Sequence, residues 1–593
     1  MTYDLKITGG LVFDGEGSEP READVAIRNG VIVAVGDCPE EARETICAAG
    51  HIVTPGFIDL HTHYDGQVSW DAGMQPSVNH GVSTVVMGSC GVGFAPVRPD
   101  DREKLIRLME GVEDIPGIAL TEGLTWDWET LPEYMDALDA KPHSIDFAVQ
   151  VTHDPLRVYV MGDRAVHNEQ ATSADIAEMK RLTREAMEAG AIGFSTGRSD
   201  IHRSADGDWT PSSEATVEEL AGIASAFDGL SHGVLQAVND FDLEREGDAF
   251  DKEFDILEAM AHSGGGRPFS LSLMQRDFAP DQWRRIIDRA EKAEAKGTRM
   301  RLQTAPRGIG VITGLQCTFH PFIGFPSYKA ICKLPFHQRV ARMKDPDFKA
   351  QLLTETSETL AGDGTPVPPI VDALMAAMDY VASKTFLLGD NPEYEQTAET
   401  SVLHMAQQRG VSALEQIYDL LLEEDGKALL YFPIYNYTEM NFDNVYTMMT
   451  HPQAIMGLSD GGAHVGTICD SSFPTYLLTY WSRDRKQGDK LALGEAIRRL
   501  TSDVADYCGM GDRGRIKVGL KANLNVIDYD KLRLYAPRMV QDLPAGGQRL
   551  LQDAAGYRAV IVAGEVVLRD DMLTGANPGR LYRSGQLALE SAA

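Results

Sequence analysis

Two histidines one residue apart, His61 and His63, close an apolar run in GFIDLHTHYDG. On a β-strand, residues two apart point to the same side. Both imidazoles therefore aim at one point, where a buried strand opens into a loop. Imidazole is the commonest side-chain metal ligand. Two histidines on an exposed strand face would look the same in isolation, but the run before them reads as a fully buried strand. The other half of a metal site stands far down the chain. Asp460 lies in MGLSDGGAH, an apolar strand breaking into glycines. A carboxylate there can bind a metal and take a proton from water whose pKa the metal has lowered. Cys90, in GSCGVG, offers a thiolate, a good zinc ligand, and the glycines let the chain turn sharply around it. A buried, inert cysteine is the alternative. His153, in VTHDPLR, is a candidate to orient substrate or polarise a carbonyl, or else a core hydrogen-bonding residue.

These residues need a scaffold that brings several strand ends to one place. Eight apolar segments read as strands: 56–63, 83–90, 146–153, 191–197, 233–240, 267–275, 299–306 and 454–462. Helical patterns lie between them. In SADIAEMKRLTREAMEAG, Ser173 is the expected cap, and Ile176, Met179, Leu182 and Met187 share a face. Eight strands with helical crossovers fit an α/β fold, a (β/α)8 TIM barrel, better than a doubly wound sheet, which would not demand eight. Active sites of such barrels sit at the C-terminal strand ends, where His61, His63, Cys90, His153 and Asp460 fall.

The two ends of the chain read differently. DLKITGGLVFDG, DVAIRNGVIVAVGD, GLKANLNVIDYD and YRAVIVAGEVVLRDD alternate apolar and polar residues around glycine turns. Neither end has enough sequence for a core of its own. The expectation is a small β-sandwich built from 1–55 plus 516–593, with the barrel over 56–515. One connection is too long for a barrel loop, and residues 308–450 are expected to form a lid-like insertion that shapes the substrate pocket; a subunit interface is the other reading, so a homo-oligomer stays open.

Composition narrows the partners. The net charge of -33 argues against nucleic acid and anionic membranes. No run approaches a membrane span, and MTYDLKITGG lacks the pattern of a signal peptide. Seven scattered cysteines suggest reduced thiols. A cytoplasmic enzyme acting on a small molecule is the expectation. Arg157, Arg198 and Arg307 stand at or just past strand ends, where each could pair with a substrate carboxylate or serve a structural ion pair.

Taken together, ITGGLVFDG, TPGFIDLHTHYD, HGVSTVVMGSCGVGFAP, GAIGFSTG, SDGGAH and AGEVVLRDDMLTGANPGR give a chain that resembles the amidohydrolase superfamily, D-aminoacylase branch, over nearly its whole length. The resemblance implies a metal-bearing barrel with a β-domain from both termini, and amide hydrolysis by metal-activated water with Asp460 as general base. It carries the family's metal-site roles onto His61, His63, Cys90 and Asp460. The family also places histidines at the ends of strands 5 and 6. Here Val238 stands at the first position and Leu273 or a neighbour at the second, and no lysine is placed to bridge two metals. Arg198 and Ser199 follow STG where the family has an apolar residue and a tyrosine. The expectation is therefore one principal divalent ion, zinc by its preference for His, Cys and carboxylate. The main alternatives are an ester, lactone, cyclic amide or C–C bond next to a carbonyl as the target, or a non-catalytic binding protein on a decayed enzyme.

Overall fold

The computed structural model describes residues 2–241, 249–362 and 365–585. Eight parallel strands pair in chain order: Phe57–Thr62, Val82–Met87, Asp146–Thr152, Gly193–Arg198, Val234–Asn239, Phe269–Ser272, Met300–Thr304 and Ala454–Met456. A parallel bridge between Thr62 and Gly461 joins the eighth strand's extension to the first. The result is a nearly closed (β/α)8 barrel. The first three strands are buried along their whole length, as expected of strands covered on both faces.

All eight expected strands are present, but the last is shorter than its apolar pattern suggests. It ends at Met456, and Leu458 and Asp460 then adopt left-handed backbone conformations with φ of 61° and 51°. The crossover helix Ser173–Ala189 forms where expected, with a different cap. Thr172 accepts from the Asp175 amide while Asp175 accepts from the Thr172 amide, a reciprocal box that places Ser173 inside the first turn.

Both termini build one β-rich unit. Nine of its strands form one continuous sheet, joined by the antiparallel pairing of Ile52–Pro55 with Leu524–Ile527, and two short pairs, Arg533–Leu534 with Ala554–Ala555 and Arg538–Val540 with Arg549–Leu551, lie outside it. Leu5, Ile27, Ile32, Leu524, Val526 and Ile561 share its core. Residues 578–584 leave this sheet and run along the barrel's third strand, where the Tyr582 amide donates to the Phe147 carbonyl at 2.7 Å. The last residues of the expected terminal domain, 586–593, lie outside the described residues.

The long connection between the seventh and eighth strands carries its own small antiparallel sheet, in the order Gly310–Thr313, Leu429–Pro433, Phe386–Leu388. Short helices surround it over a separate core that includes Phe322, Phe325, Ile417, Tyr418 and Leu421. Helix Asp443–Thr450 then leads into the eighth barrel strand.

Asp146 locks these parts together at the start of the third strand. Fully buried, it accepts from Arg513 at 2.8 Å, Lys521 at 2.6 Å, Asn523 at 3.0 Å and the Arg580 amide at 2.9 Å. Burial alone would raise its pKa, but Arg513 and Lys521 outweigh burial and hold it below the ordinary carboxylate value. Its ionised form is therefore favoured by folding; that stabilisation is present above the unfolded pKa and is lost as pH falls through the lowered folded one. Replacing one member of a buried charge cluster leaves its partners uncompensated and typically costs about 3–5 kcal/mol. Asp146→Asn should lower unfolding stability by about that amount in a denaturant titration. A loss below about 1 kcal/mol would show that the cluster does not hold barrel and terminal unit together.

Candidate metal centre and active site

The first strand delivers His61 and His63 to the C-terminal mouth of the barrel, as their spacing requires. Cys90 arrives by a tight turn after the second strand, with Gly88, Cys90 and Gly91 at φ of 83°, 56° and 79°. A Cβ at Gly91 would meet Gly197 N at 2.8 Å, and one at Gly197 would meet the Cys90 carbonyl at 2.3 Å. Glycines in GSCGVG and FSTG thus let the Cys90 turn sit directly against the fourth strand. Asp460 is fixed from the first strand, because its amide donates to the His61 carbonyl at 3.1 Å and the His63 amide donates to the Gly461 carbonyl at 2.7 Å. Buried Asp59 adds a tie, accepting from the Ser459 hydroxyl at 2.6 Å.

The structure brings His61, His63, Cys90 and Asp460 together. Ligand atoms of the two histidines and Cys90 lie within 4.8 Å of one another, the one such His/Cys/Asp/Glu group among the described residues. Cys90 Sγ is 3.4 Å from His61 Nε2. Asp460 Oδ1 is 3.2 Å from His61 Nε2 and 3.7 Å from His63 Nε2. Two nitrogens and a sulfur, with a carboxylate oxygen beside the nitrogens, are a donor set that fits a divalent ion such as zinc.

Two sets of residues not anticipated from the sequence orient these donors. The first is a layer of side chains from the odd-numbered strands, the usual way such a barrel fills its interior. Gln303 Oε1 lies 2.8 Å from His61 Nδ1, which leaves Nε2 turned toward the cluster. Gln236 Nε2 stands 3.1 Å from the same nitrogen, and Gln150 donates to Gln236 Oε1 at 2.6 Å. The sequence signal was a glutamine inside each of three largely apolar strands. The second set is Glu113 with His464. Glu113 is fully buried at the end of helix Arg102–Glu113, with Oε1 3.2 Å from His63 Nδ1 and Oε2 3.4 Å from His464 Nε2. Nothing local marks Glu113 in the sequence, whereas His464 stands within SDGGAH.

Electrostatics in the metal-free chain follow from burial and these contacts. Burial pushes His61 down to about 4, so it is neutral. Burial disfavours charge on His63 too, but Glu113, Asp460 and Cys90 outweigh it and raise its pKa. Burial pushes the Cys90 thiol up to about 12. Asp460 is held well below the usual carboxylate range, because His63, His61 and His464 outweigh its burial. A cation entering this cluster must therefore displace protons from Cys90 and His63.

His153 is not brought to the cluster. It is buried between Thr196 Oγ1 at 2.9 Å and Glu219 Oε1 at 3.0 Å. The three arginines are likewise held in buried ion pairs, Arg157 with Glu219 at 2.6 Å, Arg198 with Glu253 at 2.7 Å and Arg307 with Asp470 at 2.8 Å. None of these four lines the cavity that opens from His61, Cys90 and Asp460. Val238 does line that cavity, while Leu273 is buried in the core. His232 lies against the Met187 carbonyl, away from the strand ends. His202 lines the cavity and had not been singled out in the sequence.

A parallel barrel whose C-terminal mouth gathers histidines, a cysteine and an aspartate defines a metal-dependent barrel hydrolase. Comparison with known proteins makes this specific: the chain belongs to the amidohydrolase family, whose model matches residues 44–568. Within it the chain sits with the D-aminoacylase branch and is a hydrolase of non-peptide C–N bonds. A D-aminoacylase of Alcaligenes xylosoxydans xylosoxydans is 26% identical over 98% of this chain and 97% of its own length. An uncharacterised protein of Mycobacterium tuberculosis is 28% identical over 99% of this chain and 97% of its own. Among solved structures, a D-aminoacylase superposes with a TM-score of 0.62 at 24% identity, covering 98% of this chain and 100% of its own. The N-acyl-D-glutamate deacylase of Bordetella bronchiseptica gives 0.62 at 23% identity, with the same coverage.

Outer carboxylates that orient a metal-binding histidine typically contribute 10- to 100-fold to metal affinity, as an order of magnitude. Glu113→Gln preserves shape but removes the charge facing His63. It should weaken metal affinity by roughly that factor in a chelator competition, with little change in melting temperature of the loaded protein. Wild-type affinity in this variant would remove Glu113 from the site.

Proposed function

We propose that this chain hydrolyses an amide bond of a small organic molecule, with His61, His63, Cys90 and Asp460 holding one divalent ion and Asp460 also serving as general base. The observation that carries the reading is the convergence of those four donors at the inner end of a cavity of about 400 Å³, within the range of small-molecule sites. When bound, a divalent ion lowers the pKa of water and polarises a carbonyl. Zinc is the ion this donor set favours, and a single ion is the expected count because no histidine stands at the ends of the fifth and sixth strands.

The remaining work falls to the chain. Asp460 faces the cavity and is ionised at neutral pH, as a base must be. Gln303 and Glu113 stand against the Nδ1 atoms of the two imidazoles, and each ring has its Nε2 turned inward. Burial pushes His202 down to about 3, so its neutral ring can donate an N–H to an oxygen that gains charge during the reaction. The names of the relatives, D-aminoacylase and the deacylases of N-acyl-D-aspartate and N-acyl-D-glutamate, support an acyl–nitrogen bond as the target.

Asp460→Asn keeps the shape of the side chain and cannot take a proton. Losing a positioned base costs on the order of 10² to 10⁴ in rate. Steady-state kinetics on the metal-loaded variant should show kcat reduced by that order, with elemental analysis after dialysis giving about one ion per wild-type chain. Near-normal kcat at full metal occupancy would assign the base to another residue.

A further inference from the structure

The cavity above the metal cluster runs outward between the barrel mouth and the insertion. Ile201, Val238 and Leu458 line it from the barrel, and Val311, Leu374 and Phe432 from the insertion. The insertion side is built almost wholly from aliphatic and aromatic residues. Glu110, Asp114, Asp240 and Asp460 also face the cavity, and no lysine or arginine does so among the described residues. Asp114 accepts from the Gly466 amide at 3.1 Å and the Thr467 hydroxyl at 3.2 Å, and Asp240 accepts from the Ser199 hydroxyl at 2.8 Å. Asp114 is thus held by its own chain, while Asp240 keeps Oδ1 buried without a hydrogen-bond partner, an acceptor that the N–H of an uncharged amide can satisfy.

An N-acyl amino acid brings a carboxylate into such a site, and a buried anion without a cationic partner is strongly disfavoured. Nothing described at this wall supplies that partner. Arg157, Arg198 and Arg307 are occupied by buried carboxylates elsewhere. Of the histidines at the mouth, His202 is neutral and His464 faces Glu113.

We propose that the preferred substrate is an uncharged amide bearing a linear apolar chain, which lies along the insertion wall, and that a free carboxylate next to the scissile bond is rejected. This rests on the amide-hydrolase reading and departs from the N-acyl amino acids in the relatives' names. Val238 and Ile201 receive the chain nearest the cluster, and Val311, Leu374 and Phe432 receive its far end. Each methylene buried along that wall contributes about 0.8 kcal/mol, which converts to a three- to four-fold gain per carbon.

Two series test this on the full-length, metal-loaded protein, each with acetyl-, hexanoyl- and decanoyl-length chains. Sulfonamide isosteres of N-acyl-D-alaninamide and of N-acyl-D-alanine resist hydrolysis and report binding alone by calorimetry. The matching carboxylic amides report turnover by release of the free amine. Affinity should rise about three- to four-fold per methylene, and each uncharged compound should bind at least about ten-fold more tightly than its acid, a difference of about 1.4 kcal/mol. Affinity independent of chain length, or tighter binding of the acids, would overturn the proposal. The expected binding pattern with no amide cleaved would uphold the pocket assignment and defeat the amide-hydrolase reading.

Discussion

Packing a thiol, two imidazoles and a carboxylate against one another is unfavourable unless a cation draws them together. His61, His63 and Cys90 are all buried with their donor atoms close together, and Asp460 stands against the two imidazoles. Without the ion, the cluster holds itself by a compromise: Cys90 keeps its proton, His61 stays neutral, and His63 takes a charge that Glu113 and Asp460 share. A divalent ion held as proposed above would find in these four groups a matched donor set. Most of the unusual backbone at the barrel mouth serves this convergence. Cys90, Leu458, Asp460 and His464 all have positive φ, each at a cost of roughly 1–2 kcal/mol for a residue with a Cβ, and strain of this kind gathers at functional sites.

The rest of the fold supplies rigidity and enclosure around that point. Alternate strands contribute a polar layer beneath the cluster, so that the Nδ1 side of His61 meets Gln303 and Gln236 rather than solvent. Asp146 ties the barrel to the terminal sheet and to the tail. The insertion adds an apolar wall opposite the cluster and has a core of its own. The candidate metal donors thus stand on the barrel, while much of the cavity lining comes from the insertion.

Much of this was legible in the chain. Period-two spacing at His61 and His63, and the glycines beside Cys90 and Asp460, act through local geometry, so their placement could be read directly. The eight strands were visible because buried parallel strands are continuous apolar runs. Glu113 was not legible, because its role depends on a helix end meeting a distant strand. The arginines stayed open between a substrate carboxylate and a structural ion pair for a related reason: a strand-end position does not reveal the buried Glu219, Glu253 and Asp470 that occupy them. His153 shares Glu219 with Arg157, another pairing set by tertiary packing rather than by spacing.

The most direct test of the central claim is X-ray absorption at the zinc edge of the loaded protein, compared with Cys90→Ser. Zinc bound by His61, His63, Cys90 and Asp460 requires one sulfur scatterer at about 2.3 Å beside nitrogen and oxygen at about 2.0–2.2 Å, and the sulfur shell should vanish in the serine variant. A wild-type spectrum of nitrogen and oxygen alone, or a sulfur shell that survives the substitution, would contradict the four-donor centre on which this account depends.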